Sequence, residues 1–191
     1  MLEGEPRRPQ PKDAVPVPEK QPSERETIWQ QKKMQIDQIT DGLGLGIEEG
    51  IKEAVIVCQV HGMGTSASCE GHLNGEGMPY PWIDITAPAP DGWRESEALQ
   101  ERWRVENMKL REKMRTLLEG FYSQSQPPTD AQLVLVDHGI YGAFRLQSRG
   151  AKALETIPAG ALASYQDTFA QYRQEMNAFV DYLKQNFFEE L

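Results

Sequence analysis

The stretch that most constrains this fold runs from Ser96 to Tyr122 without a proline and with a single glycine near its end. Leu99, Trp103, Leu110, Met114, Leu117, Leu118 and Phe121 recur along it at helical spacing. Ser96 stands where an N-cap belongs. A helix this long with one apolar stripe must bury that stripe against something. The chain offers two further helical partners. Ile47, Ile51, Ala54, Val55 and Cys58 fall at helical intervals, with Glu48 and Glu49 at the expected N-terminus and Gly62 at the C-terminal cap. The β-branched run Val55 to Val60 leaves a strand as the competing reading of 47–61, and length favours the helix. From Pro158 onward, Leu162, Tyr165, Phe169, Tyr172, Met176, Phe179 and Leu183 form one more stripe.

Between these helices lie strands. Pro79 to Thr86 alternates, with Trp82, Asp84 and Thr86 on one face and Pro81, Ile83 and Ile85 on the other. Gln132 to Val136 and Tyr141 to Leu146 flank Asp137-His138-Gly139, the signature of a hairpin. Ser23 with Glu26 has capping-box spacing and opens a first helix to about Ile39, its thin stripe being Ile28, Met34, Ile36 and Ile39. The glycines of Asp41-Gly-Leu-Gly-Leu-Gly46 stop it in a turn. The order helix, helix, strand, helix, hairpin, helix predicts an α+β fold: a small antiparallel or mixed sheet packed by three to four helices. Residues 23–191 are expected to form one such domain. Residues 1–22, proline-rich and charged, read as a disordered tail; Pro6-Arg-Arg-Pro9 offers a polyproline ligand as its alternative role.

Charge narrows the partners. With 20 basic and 29 acidic residues, the net −9 disfavours broad wrapping of nucleic acid. The basic residues of 102–115 alternate with Glu101, Glu106 and Glu112, as on a solvated helix face. No apolar run approaches the ~18 residues of a membrane span. Two cysteines and no secretory leader make a reduced, cytoplasmic setting the expectation. A small molecule or a partner protein is the expected partner, and the long helices offer a face for self-association.

The densest chemistry lies in Thr65-Ser-Ala-Ser-Cys-Glu-Gly-His72. Three readings of it stand. As a metal site, Cys58-x2-His61 and Cys69-x2-His72 supply the thiolates and imidazoles that Zn²⁺ favours. A helical 47–61 puts Cys58 on the apolar stripe, which detaches Cys58 and His61 and leaves Cys69 and His72 as the candidate ligands. As a catalytic site, Cys69 is a candidate nucleophile with His72 beside it, and Glu70 and Asp84 are candidate acids or bases. Thr65, Ser66 and Ser68, with the backbone around Gly71, form a candidate anion nest. Trp82 shares the face of Asp84, His138 is a candidate third imidazole, and Arg145 points opposite Phe144 and Leu146, where it can bind an anion or pair with an acid. As plain structure, Ser68 caps a helix and Gly71 takes a positive φ in a tight polar turn.

Thr65-x-x-Ser68-Cys69-Glu70-Gly71-His72, followed by Pro81-Trp82-Ile83-Asp84-Ile85, resembles a motif of small uncharacterised bacterial proteins. That resemblance implies that the Ser-Cys-Glu-Gly-His run is the shared feature and that Cys58 and His61 are not. More distantly, the stretch is similar to the tRNA methyltransferase family of wybutosine synthesis, through Thr65, Ser68, Cys69 and Gly71. It departs at Glu70 and His72, where that family carries Ser and Arg. This similarity implies a transferase acting on a nucleotide or modified nucleoside, with S-adenosylmethionine as cofactor. A zinc-stabilised or protein-interaction module without enzymatic activity is the alternative expectation.

Overall fold

The computed structural model describes residues 22–189. The expectations placed on the proline-rich tail fall almost wholly on 1–21, outside the described residues. Five α-helices and four strands follow in the order α1 Glu24–Asp37, α2 Glu49–Val60, β1 Thr65–Cys69, β2 Trp82–Ile85, α3 Glu97–Tyr122, β3 Leu133–Asp137, β4 Phe144–Ser148, α4 Ala151–Glu155 and α5 Gln166–Glu189. The α+β class therefore holds, with an antiparallel sheet and one helix more than expected, the short α4.

Local chemistry sets the helix starts. Ser23 Oγ accepts from the Glu26 N–H while the Glu26 carboxylate accepts from the Ser23 N–H, the reciprocal capping box. Ser96 caps α3 by accepting from Leu99 N–H. The stripe expected on α1 is corrected: Trp29 and Ile36 are buried, while Met34 and Ile39 are exposed. Trp29 packs near Phe187 and Phe188 of α5, so burial follows that aromatic contact. The last helix starts later than expected, because residues 159–165 form a 3₁₀ turn before α5.

A second correction concerns Thr65–Cys69. It is no helix-capping turn but a strand, β1, which makes the sheet four-stranded. The strand order is β1-β2-β4-β3, every neighbouring pair antiparallel. Ile83, Ile85, Phe144, Leu146 and Leu133 form the inner face and are buried in one cluster with residues of α2, α3 and α5. Burial of such side chains stabilises by about 1.5–3 kcal/mol each. Register then dictates the other face. Cys69 lies opposite Trp82, Trp82 opposite Gln147, and Asp84 opposite Arg145. Directly paired residues project to the same side, so Cys69, Trp82, Asp84, Arg145 and Gln147 share the outer face. A smaller cluster of Tyr80, Ala131, Ala151, Leu154 and Tyr172 joins Trp82 there.

Candidate metal centre

The chemistry-bearing end of β1 meets the start of α2. Glu48 is the residue before α2 and makes no capping bond within its own helix. Its carboxylate reaches across instead: Oε2 accepts from the Glu70 N–H at 2.6 Å, and Oε1 lies 2.6 Å from His72 Nε2. The reverse tie comes from Glu70, whose Oε2 accepts from the Gly50 N–H at 2.7 Å, supplying the helix start with the anion its dipole favours. A Cβ at position 50 would collide with that carboxylate, so the close approach requires glycine there. Gly71 turns the chain between Cys69 and His72 with φ +88°, and a side chain on it would meet Phe169 at 2.6 Å. The positive φ expected at Gly71 is what the structure shows. His72 N–H donates to the Met78 carbonyl at 2.8 Å, which closes the loop behind it.

The result is a compact donor set. A carboxylate oxygen of Glu48, the sulfur of Cys69 and a ring nitrogen of His72 all lie within 4.8 Å of one another. Among the described residues no lysine or arginine forms an ion pair with Glu48; its ion-pair partner is His72. The Gly71 N–H donates to Cys69 Sγ at 3.3 Å. Burial raises the Cys69 thiol above its ordinary value, the Glu48 charge adds to that, and the Gly71 N–H works against it. Without a metal the sulfur is protonated at neutral pH and a weak nucleophile.

The remaining candidates separate from this centre. Cys58 is 1% exposed in the core, its thiol pushed up to about 12 by burial. His61 donates from Nε2 to the Leu183 carbonyl at 2.8 Å. Neither joins Cys69 and His72. Thr65, Ser66 and Ser68 lie along the sheet edge, lining a groove of about 440 Å³ that Glu48 also lines. Asp84, His138, Arg145 and Trp82 form a second cluster. Arg145 grips Asp84 with two bonds, Nε to Oδ1 at 2.6 Å and Nη2 to Oδ2 at 2.9 Å. Its guanidinium stands 3.7 Å over the Trp82 ring, and Trp82 Nε1 is buried without a partner. His138 Nε2 is 3.1 Å from both Asp84 Oδ2 and Arg145 Nη2. Arg145 does pair with an acid on the face opposite Phe144.

Glu48 is the functional candidate that sequence reasoning assigned to helix capping alone. It stands 24 residues from His72, at no ligand spacing, and two adjacent glutamates at a helix start are fully explained by the dipole. No family model, curated protein or solved structure matches the chain. No helix among the described residues is long and apolar enough to cross a membrane.

Proposed function

We propose that this chain is a zinc-dependent enzyme of the hydrolytic type, with one Zn²⁺ held by the Glu48 carboxylate, the Cys69 thiolate and the His72 imidazole. The observation that carries this reading is the convergence of three different ligand types within 4.8 Å, drawn from two segments that tie each other in place. Sulfur, nitrogen and oxygen donors in one small site suit zinc among the common divalent metals. Three protein ligands leave a fourth tetrahedral position for water, the arrangement of catalytic rather than structural sites. Cys58 and His61, which a closed four-ligand module would use, are occupied elsewhere.

When bound, the metal acidifies its water and polarises a carbonyl oxygen. The protein's own part is orientation. The Glu70 N–H fixes Glu48, the Gly71 N–H fixes the sulfur, and the hydrogen bond from the His72 N–H to the Met78 carbonyl fixes the loop that carries His72. A reduced, cytoplasmic setting fits a free thiol as ligand. Among the described residues, the groove beside Glu48 contains Asp41 and Glu48 but no lysine or arginine. That lining suits a neutral or cationic substrate and gives the nucleotide-transferase expectation no phosphate partner there.

Metal analysis of untagged protein tests the proposal. About one zinc per chain is expected, lost in Cys69→Ser and in His72→Ala and kept in Cys58→Ser and His61→Ala. X-ray absorption of the loaded protein is expected to show one sulfur, protein nitrogen and oxygen, and a water. A sphere of four protein ligands would assign the site to a structural module, and calorimetric binding of S-adenosylmethionine to metal-free protein would restore the transferase.

A further inference from the structure

The two edges of the sheet are finished differently. On β3, the Tyr122 hydroxyl accepts from the Leu133 N–H at 2.7 Å, and Arg111 Nη2 donates to the Leu135 carbonyl at 3.2 Å. Side chains from α3 thus occupy the backbone groups that an added strand would need. On β1, among the described residues, no side chain bonds to the backbone of Ser66 to Cys69; the first such bond along the chain is Glu48 to the Glu70 N–H, at the metal centre. Exposed sheet edges are normally guarded by charge, proline or distortion. The sequence Thr-Ser-Ala-Ser-Cys has neither charge nor proline, and its one register shift lies between Thr65 and Ala67, leaving Ala67 to Cys69 regular.

A wall faces this bare edge. Asp41 Oδ1 accepts from the N–H groups of Leu43 and Leu45 at 2.8 and 2.9 Å, and Thr40 bridges to Gly46, so the segment is a folded turn. It presents Ile39 and Leu45, 45% and 64% exposed, to the groove of about 440 Å³ between the turn and β1. We infer that this groove takes an extended, uncharged or basic polypeptide segment, which adds to β1 as a fifth strand and lays a peptide bond at the Glu48–Cys69–His72 centre. Strand addition supplies affinity through main-chain hydrogen bonds to a strand lying about 4.8 Å from β1, and Ile39 and Leu45 receive alternate apolar side chains. With Glu48 engaged on zinc, Asp41 is the remaining acid of the lining, which among the described residues holds no lysine or arginine, so basic side chains are attracted and acidic or phosphorylated segments repelled. The cleavage step rests on the zinc reading; the binding does not. In it, a water oxygen bonds to the peptide carbonyl carbon and the C–N bond breaks; zinc held by Glu48, Cys69 and His72 would supply the acidification of that water. One water proton goes to the leaving amine, and the other leaves with ionisation of the new carboxylic acid.

The test uses full-length zinc-loaded protein and a fluorescein-labelled ten-residue peptide of alternating lysine and valine, read by fluorescence anisotropy. Saturable binding is expected, at least ten-fold weaker for the alternating glutamate and valine peptide. Two further peptides, N-methylated on alternate residues in the two phases, separate strand addition from simple charge: one phase is expected to lose binding at least ten-fold. Leu45→Lys, an exposed change, is expected to weaken binding ten-fold with zinc content unaltered. Parent-like binding by both methylated peptides, or by Leu45→Lys, overturns the inference. So does a dimer in sedimentation that Leu45→Lys dissolves, since the edge then belongs to a second copy of the chain. Peptide bound by zinc-free Cys69→Ser, with no cleavage by loaded wild type, upholds the groove while the hydrolytic reading falls. One zinc per chain with no peptide binding overturns the groove alone.

Discussion

Two clusters on this molecule pair an acid with an imidazole, and only one of them contains a cation. Asp84 faces His138, but Arg145 has already taken both of its oxygens and sits stacked on Trp82. Glu48 faces His72 and a thiol, with no arginine or lysine among the described residues paired to it. The guanidinium at Asp84 does permanently what a metal ion does reversibly: it neutralises a largely desolvated carboxylate at close range. A site with its cation built in is closed to metals. Three converging donors with no paired lysine or arginine among the described residues are what the zinc proposal rests on. Acid plus histidine is therefore no functional signature by itself; the neighbouring positive charge decides.

The comparison is broken most severely by removing the built-in cation. Arg145→Met takes the bidentate guanidinium from Asp84, which is 7% exposed, leaves the half-exposed His138 as its neighbour, and strips Trp82 of its stacking partner. A loss of about 3–5 kcal/mol is expected in chemical denaturation. The matching change at the other cluster, Cys69→Ser, is expected to cost no more than ~1 kcal/mol without metal, since a protonated thiol and a hydroxyl are both neutral there. Equal losses at the two sites would show that the Glu48 cluster is structural too. Next in size is the effect of zinc itself. At a free concentration a hundred times Kd it is expected to stabilise the wild-type protein by about 2.7 kcal/mol and to leave Cys69→Ser and His72→Ala unmoved.

How much of this was legible in the chain depends on where the physical signal lay. Helices announce themselves locally. Ser23 with Glu26, and Ser96 with the stripe through Phe121, place α1 and α3 within a few residues. β1 carries no such mark, because an edge strand of Thr, Ser, Ala and Cys packs few large side chains and shows no strong alternation. Its composition matches a polar turn equally well. The partner of Arg145 needed the β2–β4 register, which no local pattern specifies, although alternation with Phe144 and Leu146 correctly set its direction. Glu48 needed the fold itself. Cys69 and His72 were visible as ligand types with two residues between them, whereas Glu48 comes from the far end of α2, before its first residue. Trp29 was hidden because its burial comes from Phe187 and Phe188, most of the chain away.

A third acid, without a paired arginine or lysine among the described residues, sharpens the contrast. Glu175 on α5 is 8% exposed, and its Oε1 is buried with no hydrogen-bond partner. Burial raises its carboxyl above the ordinary value, with the Tyr122 hydroxyl pulling in the opposite direction. The folded state thus holds this proton to a higher pH than the unfolded chain. Its contribution to stability is complete below the ordinary glutamate range, about 4.3, and is lost as pH rises through the folded-state value. Glu175→Gln is expected to stabilise the protein at pH 7 by on the order of 1 kcal/mol and to flatten that fall. An unchanged pH profile would mean that Glu175 ionises in place.

The smallest effect belongs to His138, and it separates the two clusters most finely. Its side chain is 47% exposed, and its Nε2 sits between a donor on Arg145 and an acceptor on Asp84, each at 3.1 Å. The ring nitrogen either accepts from Arg145 or donates to Asp84. Neither bond is needed, because Arg145 and Asp84 satisfy each other. His138→Ala is expected to change stability by no more than about 0.5 kcal/mol and zinc content not at all. His72→Ala, with the same chemistry removed, is expected to abolish zinc. A loss of zinc in His138→Ala would mean that the outer face of the sheet closes over the centre and that the two clusters act as one site, the outcome most damaging to the division between a self-neutralised cluster and the proposed zinc site.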